Sequence, residues 1–418
     1  MKEQYFFDNA ATSWPKPEAV YVAMDRCGRE LAVNPGRSGY ALAIEAGMMV
    51  QQTRSLLAEF FGFSGGASRV VFSANATASM NQLIQGVLRS GDHMITSVSE
   101  HNSVIRPMNH LARDQGTTCT LVGVDDDGYI NVDDVANAIQ PNTRLLMINH
   151  ASNVTGSVQD ITALGQLARQ HNIIFAIDTA QTAGVLPINM AADQIDVLVF
   201  TGHKGLFGPM GTGGMLIGGN VDIEPIAFGG TGVDSVDPFQ PTDYPHRLEA
   251  GTVNVPGIAG LNAAQHWFRE LGQSLTEADA HSIGHDTGCS VGCQNGEVLP
   301  DFLQALQHIH ATEMRHRDRI VSGLSTINQI KVLANSNTSK PRVATLAFTV
   351  PGMSSTRIGE QLDADHHVCV RTGLHCAPLI HGAFDTHATE GAVRVAPGYF
   401  TTDDDVDHLL AAIADVVG

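Results

Sequence analysis

The chain has 418 residues, 43% hydrophobic and 16% charged, and its 24 Lys and Arg against 43 Asp and Glu leave a formal net charge of −19 at pH 7. That composition excludes disorder and a collagen-like repeat, and the acidity excludes a nucleic-acid binder. No stretch reaches the roughly 18 apolar residues of a membrane span. Asp8 and Asn9 interrupt the N-terminal segment before a signal-type apolar core develops, so the expectation is a soluble, cytoplasmic protein with no membrane partner. The six cysteines are dispersed and read as free thiols, which leaves open which of them does chemistry.

From Val70 to Gly219 short β-branched apolar runs alternate with longer helical patterns, as a doubly wound, mostly parallel α/β sheet requires. The expected strands are Val70–Ser73, Met94–Ser97, Thr118–Val124, Arg144–Asn149, Ile173–Ile177, Val197–Thr201 and Gly214–Ile217. Helical stretches such as Ala78–Arg89, Val104–Gln115 and Ile161–Gln170 lie between them, each long enough for a crossover. Ligands of such a sheet gather at the carboxyl ends of its strands. After Pro256 the pattern becomes helix-rich, then gives a strand at Val343–Val350 and a closing helix over Leu409–Val417, with hydroxyls and acids at Thr401–Asp405 suited to its N-terminus. The expected division is a large domain over 15–260 and a smaller α+β domain from 1–14 and 261–418.

One segment stands apart. His281, His285, Cys289 and Cys293 recur every four residues and are potential soft-metal ligands, but Gly284, Gly288 and Gly292 each weaken a helix by about 1 kcal/mol and the spacing does not match known zinc patterns. A loop with no bound metal is the reading adopted.

Chemistry concentrates at three places. Lys204 sits among glycines directly after the strand Val197–Thr201, where close backbone approach suits a lysine that attacks a carbonyl carbon. Asp178 ends an apolar buried-strand pattern; it serves equally as a helix N-cap or as an acid facing a pyridine nitrogen. Phe72-Ser-Ala-Asn75-Ala76-Thr77 runs from strand into helix, where backbone N–H groups and the Thr77 hydroxyl can hold a phosphate or merely cap the helix. Thr201 and His203 flank the lysine and can add donors to the same anion.

Thr201-Gly-His-Lys204, Asp178-Thr-Ala-Gln181, Asn153-Val-Thr-Gly156 and Arg371-Thr-Gly-Leu-His-Cys376 occur together. The sequence resembles the cysteine desulfurases of the class V aminotransferase family, within the fold type I enzymes that use pyridoxal 5′-phosphate. The likeness runs over nearly the whole chain, from Asp8-Asn-Ala-Ala-Thr12 to Val393-Arg-Val-Ala-Pro-Gly-Tyr399. It implies Lys204 as the lysine that carries the cofactor covalently and moves the substrate's Cα proton. Asp178 would pair with the pyridine nitrogen, Gln181 would bond the ring hydroxyl, and His101 would stack on the ring and assist proton transfer. Ala76, Thr77, Thr201 and His203 would hold the phosphate, and Asn153 and Arg394 the substrate carboxylate, the arginine by a two-pronged contact.

The resemblance makes Cys376 the nucleophile: its thiolate takes the sulfur of L-cysteine as a persulfide and L-alanine is released. It also implies a homodimer, with Thr252 reaching the phosphate of the neighbouring subunit, and a substrate entrance lined by Arg37. A sulfur-acceptor protein is the expected partner. Cys27, Cys119 and Cys369 read as packing residues. Residues 273–303 look like an insertion on which the resemblance is silent. Selenocysteine lyase, cysteine sulfinate desulfinase or another class V lyase remain alternatives on the same scaffold, and a non-catalytic sulfur carrier is the rival of another kind.

Overall fold

The structure, a computed structural model, describes residues 4–35, 39–233, 236–283, 300–336 and 339–418, the side chains of 277–283 excepted. Arg37, His285, Cys289, Cys293 and the side chain of His281 lie outside the described residues.

The chain opens with β1 (Tyr5–Phe6), α1 (Glu18–Glu30) and α2 (Ala41–Phe60). It then alternates β2 (Val70–Ser73), α3 (Ala76–Val87), β3 (His93–Ser97), α4 (Asn102–Gln115), β4 (Thr118–Val122), α5 (Val132–Asn137), β5 (Thr143–Asn149), α6 (Ile161–His171) and β6 (Ile174–Asp178). β7 (Val197–Thr201) and β8 (Gly213–Ile217) complete a seven-stranded sheet ordered β2-β8-β7-β6-β5-β3-β4. Only β8 runs against its neighbours; the other pairings in this sheet are parallel. β3, β6, β7 and β8 are buried at every position, the mark of strands covered on both faces.

One face packs Phe60, Phe175, Phe200, Phe268 and Phe302, and the other packs Met80, Leu83, Met94, Leu111 and Met215. The crossover helices start where short polar side chains cap them: Asn75 accepts from Ala78 N and Asp160 from Ala163 N.

Beyond the sheet, α7 (Val255–Ile283) packs on α1, α2 and α8 (Pro300–Leu324), and Phe302 of α8 meets Phe60 of α2 edge-on. A four-stranded sheet follows, built from β9 (Lys331–Val332), β10 (Leu346–Thr349), β12 (Arg371–Gly373) and β13 (Ala392–Val395) in the order β12-β13-β10-β9. β11 (Val368–Cys369) pairs instead with β1. α9 (Ser355–His366), α10 (Pro378–Ala383) and α11 (Asp403–Val417) surround this sheet. The Thr402–Asp405 capping box starts α11 where the hydroxyl and acid pattern predicted. The expected strand Val343–Val350 is paired only over Leu346–Thr349. Among the described residues no helix is long and apolar enough to cross a membrane.

Candidate active site

A cleft of about 800 Å³ opens at the carboxyl ends of β3, β5, β6 and β7, where the parallel topology directs it. Ala76, Thr77, His101, Asn153, Asp178, Gln181, Thr201, His203, Lys204 and Arg394 all line it. Asp178 and Lys204 approach because β6 and β7 are adjacent and parallel, with Asp178 level with Val199. Gly184 lets the turn after Asp178 lie against the lysine loop: a Cβ there would stand 2.0 Å from Gly205 O. Gly213 does the same for the N-terminus of α3, since a Cβ would meet Asn75 Cα at 2.7 Å.

Electrostatics here oppose the acidity of the whole chain. Burial lowers the Lys204 amine to about 8, with Asp178 pulling it back up and Arg394 and Arg371 pushing it further down. Burial raises the Asp178 carboxyl, against a hydrogen bond from Ala180 N and the charge of Lys204. Burial and the neighbouring cations hold His101 and His203 neutral, at about 4. His101 caps α4, its Nδ1 accepting from Ser103 N at 3.0 Å, so its proton sits on Nε2.

Four buried polar atoms of these residues have no hydrogen-bond partner among the described residues: Thr201 Oγ1, His203 Nδ1, Asn153 Oδ1 and Arg394 Nε. Dry and unpaired, each would cost about 1–3 kcal/mol. A ligand with a phosphate at the α3 end and a carboxylate at the Arg394 end satisfies the donors among them. The α3 cap engages Ala78 N, not the N–H groups of Ala76 and Thr77, so phosphate binding and capping do not compete. Gln181 donates to Ala10 O at 3.0 Å, which leaves its carbonyl oxygen to accept from a ring hydroxyl. This donor set fits pyridoxal 5′-phosphate.

Arg394 is held more tightly than its sequence position suggested. Nη2 donates to Asp8 Oδ1 at 2.5 Å and Nη1 to Asn153 O at 3.2 Å, so Nε and the remaining Nη hydrogens are what a substrate carboxylate can use. The Asn153 amide spends one hydrogen on His375 O at 2.7 Å. Cys376 does not line the cleft; it is half-buried beside it, with Arg371 Nη2, a cleft residue, 3.1 Å from its Sγ and Asn102 N donating to its carbonyl at 2.7 Å. Thr252 is exposed and borders a neighbouring cavity, not the cleft of its own chain.

Three further side chains bear on the cleft: Arg371 lines it, Asp8 binds Arg394 and Glu100 accepts from Asn149 N. Arg371 stands five residues before Cys376 inside a motif that was recognised, and Asp8 opens another, so position in a motif was their available signal. Glu100 had none: fully buried and next to His101 in the chain, it accepts from Ser97 Oγ at 2.7 Å and Asn149 N at 3.0 Å, and burial pushes its carboxyl up to about 8.

The sequence profile of the family described as "Aminotransferase class-V" matches residues 5–287 and 299–409. A probable cysteine desulfurase of Methanothermobacter thermautotrophicus is 27% identical over 423 residues, covering all of this chain and 96% of that protein. The cysteine desulfurase IscS of Dictyoglomus turgidum is 31% identical over 63% of this chain and 64% of its own length. The apo structure of the cysteine desulfurase from Thermococcus onnurineus NA1 superposes with a TM-score of 0.84 at 27% identity, covering 99% of this chain and 94% of that one. With its profile matched over most of its length, the chain belongs to the class V aminotransferase family.

Proposed function

We propose that the protein is a cysteine desulfurase that uses pyridoxal 5′-phosphate to convert L-cysteine to L-alanine and passes the sulfur to Cys376 as a persulfide. The observation that carries this reading is the meeting, at one cleft, of a lysine lowered to about 8, a buried acid on the adjacent strand, a buried arginine and a second arginine, Arg371, whose guanidinium reaches out of the cleft to the Cys376 thiol. The cofactor, when bound, supplies an electron sink that labilises bonds at the substrate Cα.

The chain's own residues do the rest. N–H groups of Ala76 and Thr77, the Thr201 hydroxyl and His203 Nδ1 hold the phosphate, the histidine as its Nδ1–H tautomer. Asp178 would keep the pyridine nitrogen protonated, Gln181 would hold the ring oxygen and His101 would lie against the ring. Arg394 takes the substrate carboxylate, with Asp8 and Asn153 O fixing its orientation. Lys204, neutral above about pH 8, would hold the cofactor's aldehyde carbon and would be the group that accepts the proton from the substrate Cα. The Cys376 thiolate attacks the substrate sulfur: an S–S bond forms, the C–S bond breaks, and its electron pair ends, with a proton, on the carbon that becomes the alanine methyl. A thiol of an acceptor protein then removes the terminal sulfur from Cys376.

The same reading takes 15–260 as the cofactor-binding domain and the remainder as a smaller domain, in a cytoplasmic homodimer. Support for the dimer comes from Phe228 and Phe239, 71% and 80% exposed just before the Glu249–Thr252 segment. The test is alanine release from L-cysteine, L-selenocysteine and L-cysteine sulfinate by the purified holoenzyme. The account expects the highest kcat/KM with L-cysteine; preference for either analogue assigns the lyase or desulfinase activity instead.

A further inference from the structure

Cys376 and the residue before it are both strained. His375 has φ 51° and Cys376 φ 57°, two successive non-glycine residues in the left-handed region, a conformation that persists only where surroundings over-determine it. Asn153 and Asn102 hold the two carbonyls, as described. Behind the loop lies a group of buried polar side chains that the proposed chemistry does not use: His375, His381 and Thr386, each about 2% exposed or less.

Their hydrogen bonds run in one direction. Arg371 O can only accept, so the contact of His375 Nε2 with it at 3.2 Å puts the His375 proton on Nε2. Burial and the Arg394 charge keep His375 neutral, which leaves Nδ1 as an acceptor. His381 Nε2, 3.4 Å away, is then the donor, and its own Nδ1 accepts from the Thr386 hydroxyl at 2.7 Å. The two imidazoles stack with their planes 25° apart. The chain Thr386, His381, His375 ends on the carbonyl of the residue whose guanidinium holds Cys376 Sγ.

We propose that His381, anchored by Thr386, is a positioning residue that fixes the Cys376 loop and its Arg371 contact through His375. This rests on Cys376 being the sulfur acceptor. His381 touches neither substrate nor cofactor; the α10 helix carries it on the far side of the loop.

The experiment compares holoenzyme with His381→Ala, His381→Gln and Thr386→Val, reading alkylation of Cys376 by iodoacetamide at pH 7 and steady-state alanine release. His381→Ala is expected to slow both by about tenfold, with KM for L-cysteine and the bound-cofactor absorption unchanged. His381→Gln, whose amide can donate to His375 Nδ1, is expected to recover most of the loss, and Thr386→Val to lose about threefold. Alkylation and kcat of His381→Ala within twofold of the parent, or no recovery in His381→Gln, would overturn the proposal. If His381→Ala does not fold, Thr386→Val decides alone, and parental rates in it overturn the proposal. Absence of alanine release by the parent refutes the desulfurase reading separately, because the alkylation comparison does not depend on turnover.

Discussion

Asp178 and Lys204 face one cleft from the carboxyl ends of adjacent parallel strands, the carboxyl pushed up and the amine pushed down by the same burial. Each charge partly offsets the other's desolvation, so the pair forms a poised acid and nucleophile out of two groups that ordinary solvent would leave fully ionised. In cofactor-free protein, the rate at which pyridoxal phosphate modifies Lys204 should rise with pH and level off above about 8. An ordinary lysine would still be gaining reactivity towards 10.5. Lys204→Ala should abolish the modification and lower turnover at least about a thousandfold, as peptide mapping and alanine assay would measure.

Arg394 binds Asp8 across 386 residues of sequence, which ties the N-terminal segment to the carboxylate site. Arg394→Lys keeps the charge but loses the fork, and should raise KM for L-cysteine at least about tenfold with the cofactor still bound. Asp8→Asn weakens only the tether, and a rise of about threefold is expected. Steady-state kinetics on both variants separate the two contributions.

The buried Arg54–Glu249 pair makes two bonds of 2.8 Å, and Glu249 also accepts from Phe72 N at 2.6 Å. It pins the Glu249–Thr252 segment to β2, directly before the phosphate helix. Glu249→Ala should cost about 3–5 kcal/mol in denaturant unfolding, because it strands a buried guanidinium. Replacing both, as Arg54→Met with Glu249→Leu, should recover most of that loss.

Glu100 makes stability fall as pH rises. Its folded carboxyl holds its proton to about 8 against 4.5 ordinarily, so between those values the folded state binds more protons than the unfolded state. The contribution is complete below 4.5 and is lost as pH climbs through 8. Glu100→Gln removes this dependence. Its stability relative to the parent should therefore improve by on the order of 3–4 kcal/mol between pH 5 and pH 8, read by denaturant unfolding at the two values.

Much of the large sheet was legible, because strands covered on both faces are continuous apolar runs: Val70–Ser73 and Val197–Thr201 fall where they were expected to the residue. Helix starts were less so. α3 begins at Ala76 and not Ala78 because Asn75 caps it, and an asparagine in a loop carries no unique signal of that role. Ten of the residues assigned to the cofactor and substrate meet in one cleft because most of them lie at or just after the carboxyl ends of the large sheet's strands, a consequence of topology that motif order already implies. What sequence did not convey depends on contacts between distant segments. Asp8 reaches Arg394 because β1 pairs with β11 and Asp8 bridges to Ala396, and the His375–His381–Thr386 chain needs two left-handed residues that no local propensity demands. The single antiparallel strand β8 was likewise hidden, since a buried run reads the same in either direction.

The central claim is that Cys376 accepts the substrate sulfur. The direct measurement mixes holoenzyme with L-cysteine in a single turnover and quantifies alanine and protein-bound persulfide for the parent and for Cys376→Ala. The account predicts equal amounts of alanine and of persulfide on Cys376 in the parent, with neither formed at a comparable rate in the variant. Alanine released equally fast by Cys376→Ala would contradict it.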